Sequence, residues 1–222
     1  YWNDIYFKER IEKVDVKVTG VESREDMVKL CNAAARECEF SQLDFEQGTI
    51  DKYMLPPLDI LVALHACNTA TDDAIFAGTR AGAQIIMVAP CCHKEIRMQI
   101  DEAGHDPAHN TAGPLRDVLR HGIYAERHAE IATDTLRVLL LERAGYMVRV
   151  AEFVSSEYTA KNMMIIATKK HKTSAELPAA EIHAIDHRIA QLKDFYGIKS
   201  QHLEKLFSGE EGIGEGRDAK VC

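Results

Sequence analysis

No stretch of this sequence approaches the roughly 20 consecutive apolar residues that a membrane-spanning helix requires, and the N-terminus has no signal-peptide pattern. A soluble, cytoplasmic protein is therefore expected. Basic charge is in short supply as well, with 27 Lys and Arg against 35 Asp and Glu and a formal net charge of -8. This excludes the global electrostatic footprint of a duplex-binding protein. Aromatic residues make up only 7 % of the chain, and no aromatic-basic patch offers a general single-strand platform, so contacts to RNA would need a small basic pocket or a partner. The six cysteines, at 31, 38, 67, 91, 92 and 222, lack both a paired disulfide framework and the short spacers of zinc motifs. Reduced thiols and no metal are the expectation from spacing, although His65, Cys67, Cys91, Cys92 and His93 are of the types that tetrahedral zinc accepts. Adjacent Cys91 and Cys92 are expected to point in different directions. Finally, no glycine precedes Val14.

Two apolar runs dominate what is there. Asp59-Ile-Leu-Val-Ala-Leu-His-Ala-Cys67 and Gln84-Ile-Ile-Met-Val-Ala-Pro-Cys-Cys-His-Lys94 each have strand length and end abruptly in small, polar and nucleophilic residues. Strands buried on both faces of a parallel sheet read this way. Between them, Thr69 to Gly82 begins with Thr and Asp and ends with Ala-Gly, the signals of a crossover helix. The two carboxyl ends should lie side by side, and ligands of open sheets bind beyond such ends.

Around this unit the alternation from Val14 to Thr19 predicts a strand ending at Glu22, followed by an amphipathic helix over residues 24–38. Glu22 is placed either to accept hydrogen bonds from ribose hydroxyls or to cap that helix through its dipole. Phe40 to Ile50 reads as a weaker strand, with Gly48 allowing close approach of a flat ligand. Helices are expected over residues 95–100, 114–119 and 125–144, with 101–113 as a mobile loop. Met147–Val154 and Asn162–Thr168 are close enough in sequence to form an antiparallel pair. After a linker, Ile182, Ile185, Ile189, Leu192 and Tyr196 recur at helical spacing. They predict a helix that packs back on the domain or on a second subunit, the latter giving a homodimer through the C-terminal helix. The glycine-rich acidic end, residues 208–222, is expected to be disordered.

The order of elements resembles a class I S-adenosylmethionine-dependent methyltransferase. The resemblance becomes specific at Val18-Thr-Gly-Val-Glu-Ser-Arg24, Asp59 to Cys67 with Ala70-Thr-Asp-Asp73, Val88-Ala-Pro-Cys-Cys-His-Lys94 and Glu157-Tyr-Thr-Ala-Lys-Asn162. These are similar to the methyltransferase domains shared by little-characterised bacterial proteins and eukaryotic methyltransferase-like proteins. The Cys-Cys-His element is also similar to one in eukaryotic enzymes that methylate ribose near the tRNA acceptor stem. The resemblance implies an α/β fold: a three-layer α/β/α Rossmann-like sheet, mostly parallel with an antiparallel last strand, plus a C-terminal helical extension. It divides the chain into a methyltransferase-like domain over 1–169, a linker and helices over 170–207, and the tail. It implies S-adenosyl-L-methionine as cofactor, held by Glu22, Ser23, Gly48, Thr49, Ile50, His65 and Ala66. The acceptor would meet Cys67, Pro90, Cys91, Cys92, His93, Lys94, Lys161 and Asn162, with His65, Cys92 and His93 as catalytic candidates.

One departure stands out. The family's glycine-rich cofactor turn should precede the strand at Val14, and the residues there contain none. Tyr1 is not an initiator methionine, so the expectation is that the strand and turn belong to an upstream segment of a longer product and that the chain transfers methyl groups to an acceptor, with RNA or protein favoured. The alternative is a catalytically silent binding module that kept the sheet and lost the turn. For His65 and His93 the choice lies between a general base and a buried histidine satisfying strand-end carbonyls. For Lys161 it lies between a pocket residue and a charge protecting a strand edge.

Overall fold

The computed structural model describes residues 16–64, 66–105, 115–170 and 177–209. The chain divides into two compact units, residues 1–53 and residues 54–222.

In the first unit, β1 (Val18–Glu22), α1 (Glu25–Glu37) and β2 (Leu43–Gln47) follow one another. The two strands are parallel, in register from Val18 opposite Leu43 to Glu22 opposite Gln47. Glu25 and Asp26 in the first turn of α1 and Arg36 in its last complement the helix dipole. The Asn32 amide fastens the helix to β2, donating to the Phe45 carbonyl at 2.8 Å and accepting from the Phe45 N–H at 2.9 Å. Gly20, opposite Phe45 in the register, is required because a Cβ there would run into the Phe45 ring. The strand expected from Val14 is described only from Val18, since Val14 and Asp15 lie outside the described residues.

The second unit contains β3 (Ile60–Leu64), α2 (Thr69–Arg80), β4 (Ile85–Ala89), α3 (Lys94–His105), α4 (Arg116–Leu119), α5 (Gly122–Arg143), β5 (Tyr146–Glu152), β6 (Met163–Lys169), α6 (Ala179–Tyr196) and α7 (His202–Ser208). Its sheet has the order β3-β4-β6-β5. β3 and β4 are parallel, and β6 runs antiparallel to both of its neighbours. The unit thus alternates strands and helices around a mixed sheet whose last strand, β6, is reversed. The hairpin expected of β5 and β6 is present, from Tyr146 opposite Lys169 to Glu152 opposite Met163.

The core lies on one face of this sheet. Leu61, Ile86, Val88, Ile165 and Ala167 are buried, and α2 contacts β3 and β4 while α5 contacts β5 and β6. Gly78 lets α2 approach closely: a Cβ there would stand 3.1 Å from Leu61 Cδ1 and 3.2 Å from Ile86 Cδ1. The expectation that β3 is buried on both faces is corrected here, because its residues alternate, with Leu61 at 7 % exposure and Ile60 at 52 %. β3 is the edge strand of its sheet, so a continuous apolar run does not by itself report two covered faces.

The expected loop over 101–113 is helical at its start, since α3 continues to His105, and residues 106–114 lie outside the described residues. The stripe on α6 packs back within the unit: Ile185, Ile189 and Tyr196 are buried. Tyr196 Oη lies 2.9 Å from His128 Nδ1 on α5, and Arg143 pairs with Asp186 at 2.6 Å. Gly197, at φ +69°, ends α6 in the left-handed conformation that glycine adopts without strain. Residues 171–176 of the linker and 210–222 of the tail lie outside the described residues. No helix among the described residues is long and apolar enough to cross a membrane.

Candidate functional site

Because β3 and β4 are parallel and run in register from Ile60–Ile85 to Leu64–Ala89, they finish together. Their following loops meet. Cys67 Sγ lies 3.2 Å from Cys91 Sγ, which lies 3.7 Å from Cys92 Sγ. Adjacent cysteines on a strand would point to opposite faces, but residues 90–93 belong to neither β4 nor α3. The turn therefore places both thiols on one side, contrary to the expectation from the sequence. Pro90 is buried and Lys94, the first residue of α3, is exposed.

Asn68 locks the two loops together. Its side-chain Oδ1 accepts the Glu95 N–H at 3.1 Å, satisfying an otherwise orphaned donor at the start of α3. Its backbone, at φ +54° and ψ -121°, has a conformation ordinarily left to glycine. The Thr71 hydroxyl donates to the Ala66 carbonyl from the first turn of α2. His65 lies outside the described residues.

His93 is 4 % exposed, and its Nε2 sits 3.2 Å from Asp134 Oδ1. Asp134 also receives Arg137 at 3.1 Å. Arg137, buried on α5, forms a two-pronged pair with Asp72 at 2.9 and 3.0 Å and donates to the Asn68 carbonyl at 3.0 Å. Gln201 from the segment before α7 completes the cluster by donating to Asp72 at 2.9 Å. Burial pulls the Arg137 guanidinium toward its neutral form, but the charges of Asp72 and Asp134 outweigh this and hold its pKa above the ordinary value. His93 Nδ1 is buried with no hydrogen-bond partner among the described residues.

Of the other acceptor-side candidates, Lys161 is ion-paired with Glu130 on α5. Asn162 is 4 % exposed, and its Nδ2 donates to the Val154 carbonyl at 2.9 Å, closing the connection between β5 and β6.

The cofactor-side candidates in the first unit cluster at the ends of β1 and β2. Glu22 Oε1 accepts the Arg24 N–H at 3.0 Å and the Ser23 hydroxyl at 3.2 Å. The Arg24 N–H is the main reason that the Glu22 carboxyl sits below its usual pKa. Glu22 thus caps the approach to α1 through Oε1. The Tyr53 ring stands beside Gly48: a Cβ there would meet Tyr53 Cδ2 at 3.0 Å. Tyr53 also receives support from Thr49, whose carbonyl accepts the Tyr53 N–H at 2.8 Å, with Ile50 inside that turn.

Sequence reasoning passed over Asn68, Asp134 and Arg137 as site residues. A signal existed for Arg137, since it interrupts the apolar face of α5 beside Leu136 and three residues after an aspartate.

Among curated proteins none matches the chain significantly. Among solved structures, the YcgJ protein of Bacillus subtilis is similar at 11 % identity and a TM-score of 0.35, covering 70 % of this chain and 83 % of its own. Residues 3–99 match the family described as a methyltransferase domain, a stretch that contains both Glu22 and the Cys-Cys-His-Lys element.

Proposed function

We propose that the protein transfers a methyl group from S-adenosylmethionine to a macromolecular acceptor, RNA or protein. The observation that carries this reading is that a single methyltransferase-domain match takes in both the acidic end of β1 and the loops at the ends of β3 and β4. When bound, the cofactor supplies a methyl group activated by its sulfonium. Glu22 would hold the ribose through Oε2. Cys67 and the segment Pro90 to Lys94 would hold and align the acceptor, the main task of a protein in a displacement on carbon.

An acceptor that carries a proton must also lose it. His93 is suited to take it at Nδ1, because its Nε2 already faces Asp134, whose carboxylate would orient the ring and stabilise the imidazolium. Its burial means that the loop must open for the acceptor to reach it.

Calorimetric titration with S-adenosylmethionine tests the reading. A carboxylate hydrogen bond is worth about 1.5–3 kcal/mol, so Glu22→Ala should weaken binding by roughly 10- to 150-fold. Unchanged affinity in Glu22→Ala would remove Glu22 from the ribose. Absence of binding by the unsubstituted protein would favour the silent module instead.

A further inference from the structure

Among the described residues, Cys67, Cys91 and Cys92 are a group of three whose ligand atoms all lie within 4.8 Å of one another. We infer that these three thiols form a binding site for a thiophilic divalent cation of the zinc class. The inference goes beyond methyl transfer and does not rest on it.

The geometry is near what the ion demands. Tetrahedral zinc with bonds of about 2.3 Å to sulfur sets its sulfur atoms roughly 3.8 Å apart. The observed separations of 3.2 Å for Cys67–Cys91 and 3.7 Å for Cys91–Cys92 lie just below that value, so binding needs only small side-chain rotations that spread the sulfurs. The group contains no carboxylate, and an all-sulfur donor set favours soft or borderline metals over magnesium or calcium. Access is provided by Cys67, which is exposed, while Cys91 and Cys92 are half-buried.

The supporting shell is also present. Cys67 and Cys91 sit at the ends of two paired strands, and Asn68 ties their loops together by accepting the Glu95 N–H. Arg137 holds the Asn68 carbonyl at 3.0 Å, and Thr71 holds that of Ala66. Ligands positioned on rigid elements in this way lose little freedom on binding. As each sulfur–metal bond forms, its thiol gives a proton to solvent, so uptake of one cation releases up to three protons.

The test uses the full chain, reduced, stripped with a chelator and free of S-adenosylmethionine. Titration with cobalt(II) under argon should produce a thiolate-to-cobalt charge-transfer band that saturates near one equivalent and is abolished by added zinc. Cys91→Ser should lose the band and Cys38→Ser, in the first unit, should keep it. A second measurement needs no variant: zinc should slow alkylation of Cys67, Cys91 and Cys92 several-fold, read by peptide mass spectrometry, and leave Cys38 unchanged. No band in the unsubstituted protein, an undiminished band in Cys91→Ser, or equal protection of Cys38 overturns the inference. So does a Cys67–Cys91 disulfide that forms as readily with zinc as without it. Because the cofactor is absent throughout, such a failure leaves the methyl-transfer reading untouched.

Discussion

Arg137→Met should be among the most damaging single substitutions in the second unit. The guanidinium is 1 % exposed and satisfies Asp72, also 1 % exposed, through two hydrogen bonds of 2.9 and 3.0 Å. Methionine matches much of the aliphatic stem, so packing loss is minor and the dominant effect is electrostatic. Asp72 would keep only Gln201 as a donor within the cluster, at 2.9 Å. Removing one partner of a buried pair typically costs about 3–5 kcal/mol, because the other charge is left without compensation. Against a total stability of roughly 5–15 kcal/mol, that loss lowers the melting temperature by about 6–20 °C for a chain of this size. Circular dichroism during thermal and urea unfolding reads it directly. Replacing Asp72 by Leu in the Arg137→Met background removes the stranded charge, and the double variant should recover part of the loss, with a coupling of about 0.5–3 kcal/mol. A loss below about 1 kcal/mol in Arg137→Met, or a double variant worse than the sum of the singles, would refute the claim that charge compensation in this cluster holds the unit together.

Two further outcomes follow from the same region. Burial, followed by the charge of Asp72, raises the Glu95 carboxyl above its ordinary 4.5, so the folded protein keeps a proton that the unfolded chain has already released. Stability must therefore fall as pH rises from 4.5 through the folded value; Glu95→Gln, which carries no such proton, should gain on the unsubstituted protein at neutral pH and lose that advantage toward pH 4.5 in urea titrations. At Asn68, both Asn68→Gly and Asn68→Ala remove the acceptor for the Glu95 N–H, but only glycine adopts φ +54° and ψ -121° freely. Asn68→Gly should be the milder by about 1 kcal/mol in unfolding experiments, and equal losses would mean that the backbone conformation stores no strain.

What the chain determined by itself was the local pattern. Apolar runs of strand length at Ile60–Leu64 and Ile85–Ala89, the helix signals between them and the short Met147–Thr168 hairpin were all legible, because each rests on neighbours within a few residues. The strand-end positions of Cys67, Cys91, Cys92 and His93 were legible for the same reason. Only the tertiary structure decided how these residues are used. That β3 lies at a sheet edge with Ile60 half-exposed depends on strand order, which no run of residues encodes. That Gly48 makes room for Tyr53 depends on how the turn after β2 folds. Cys67 and Cys91 stand 24 positions apart in sequence and 3.2 Å apart in space, a contact that their spacing alone does not set. The charge cluster is more distant still, joining Asp72 on α2, Arg137 on α5 and Gln201 from the segment before α7. A buried charge can be recognised in sequence as an anomaly on an apolar helix face, but its partner is selected by packing, since only the folded interior brings the compensating carboxylate within reach.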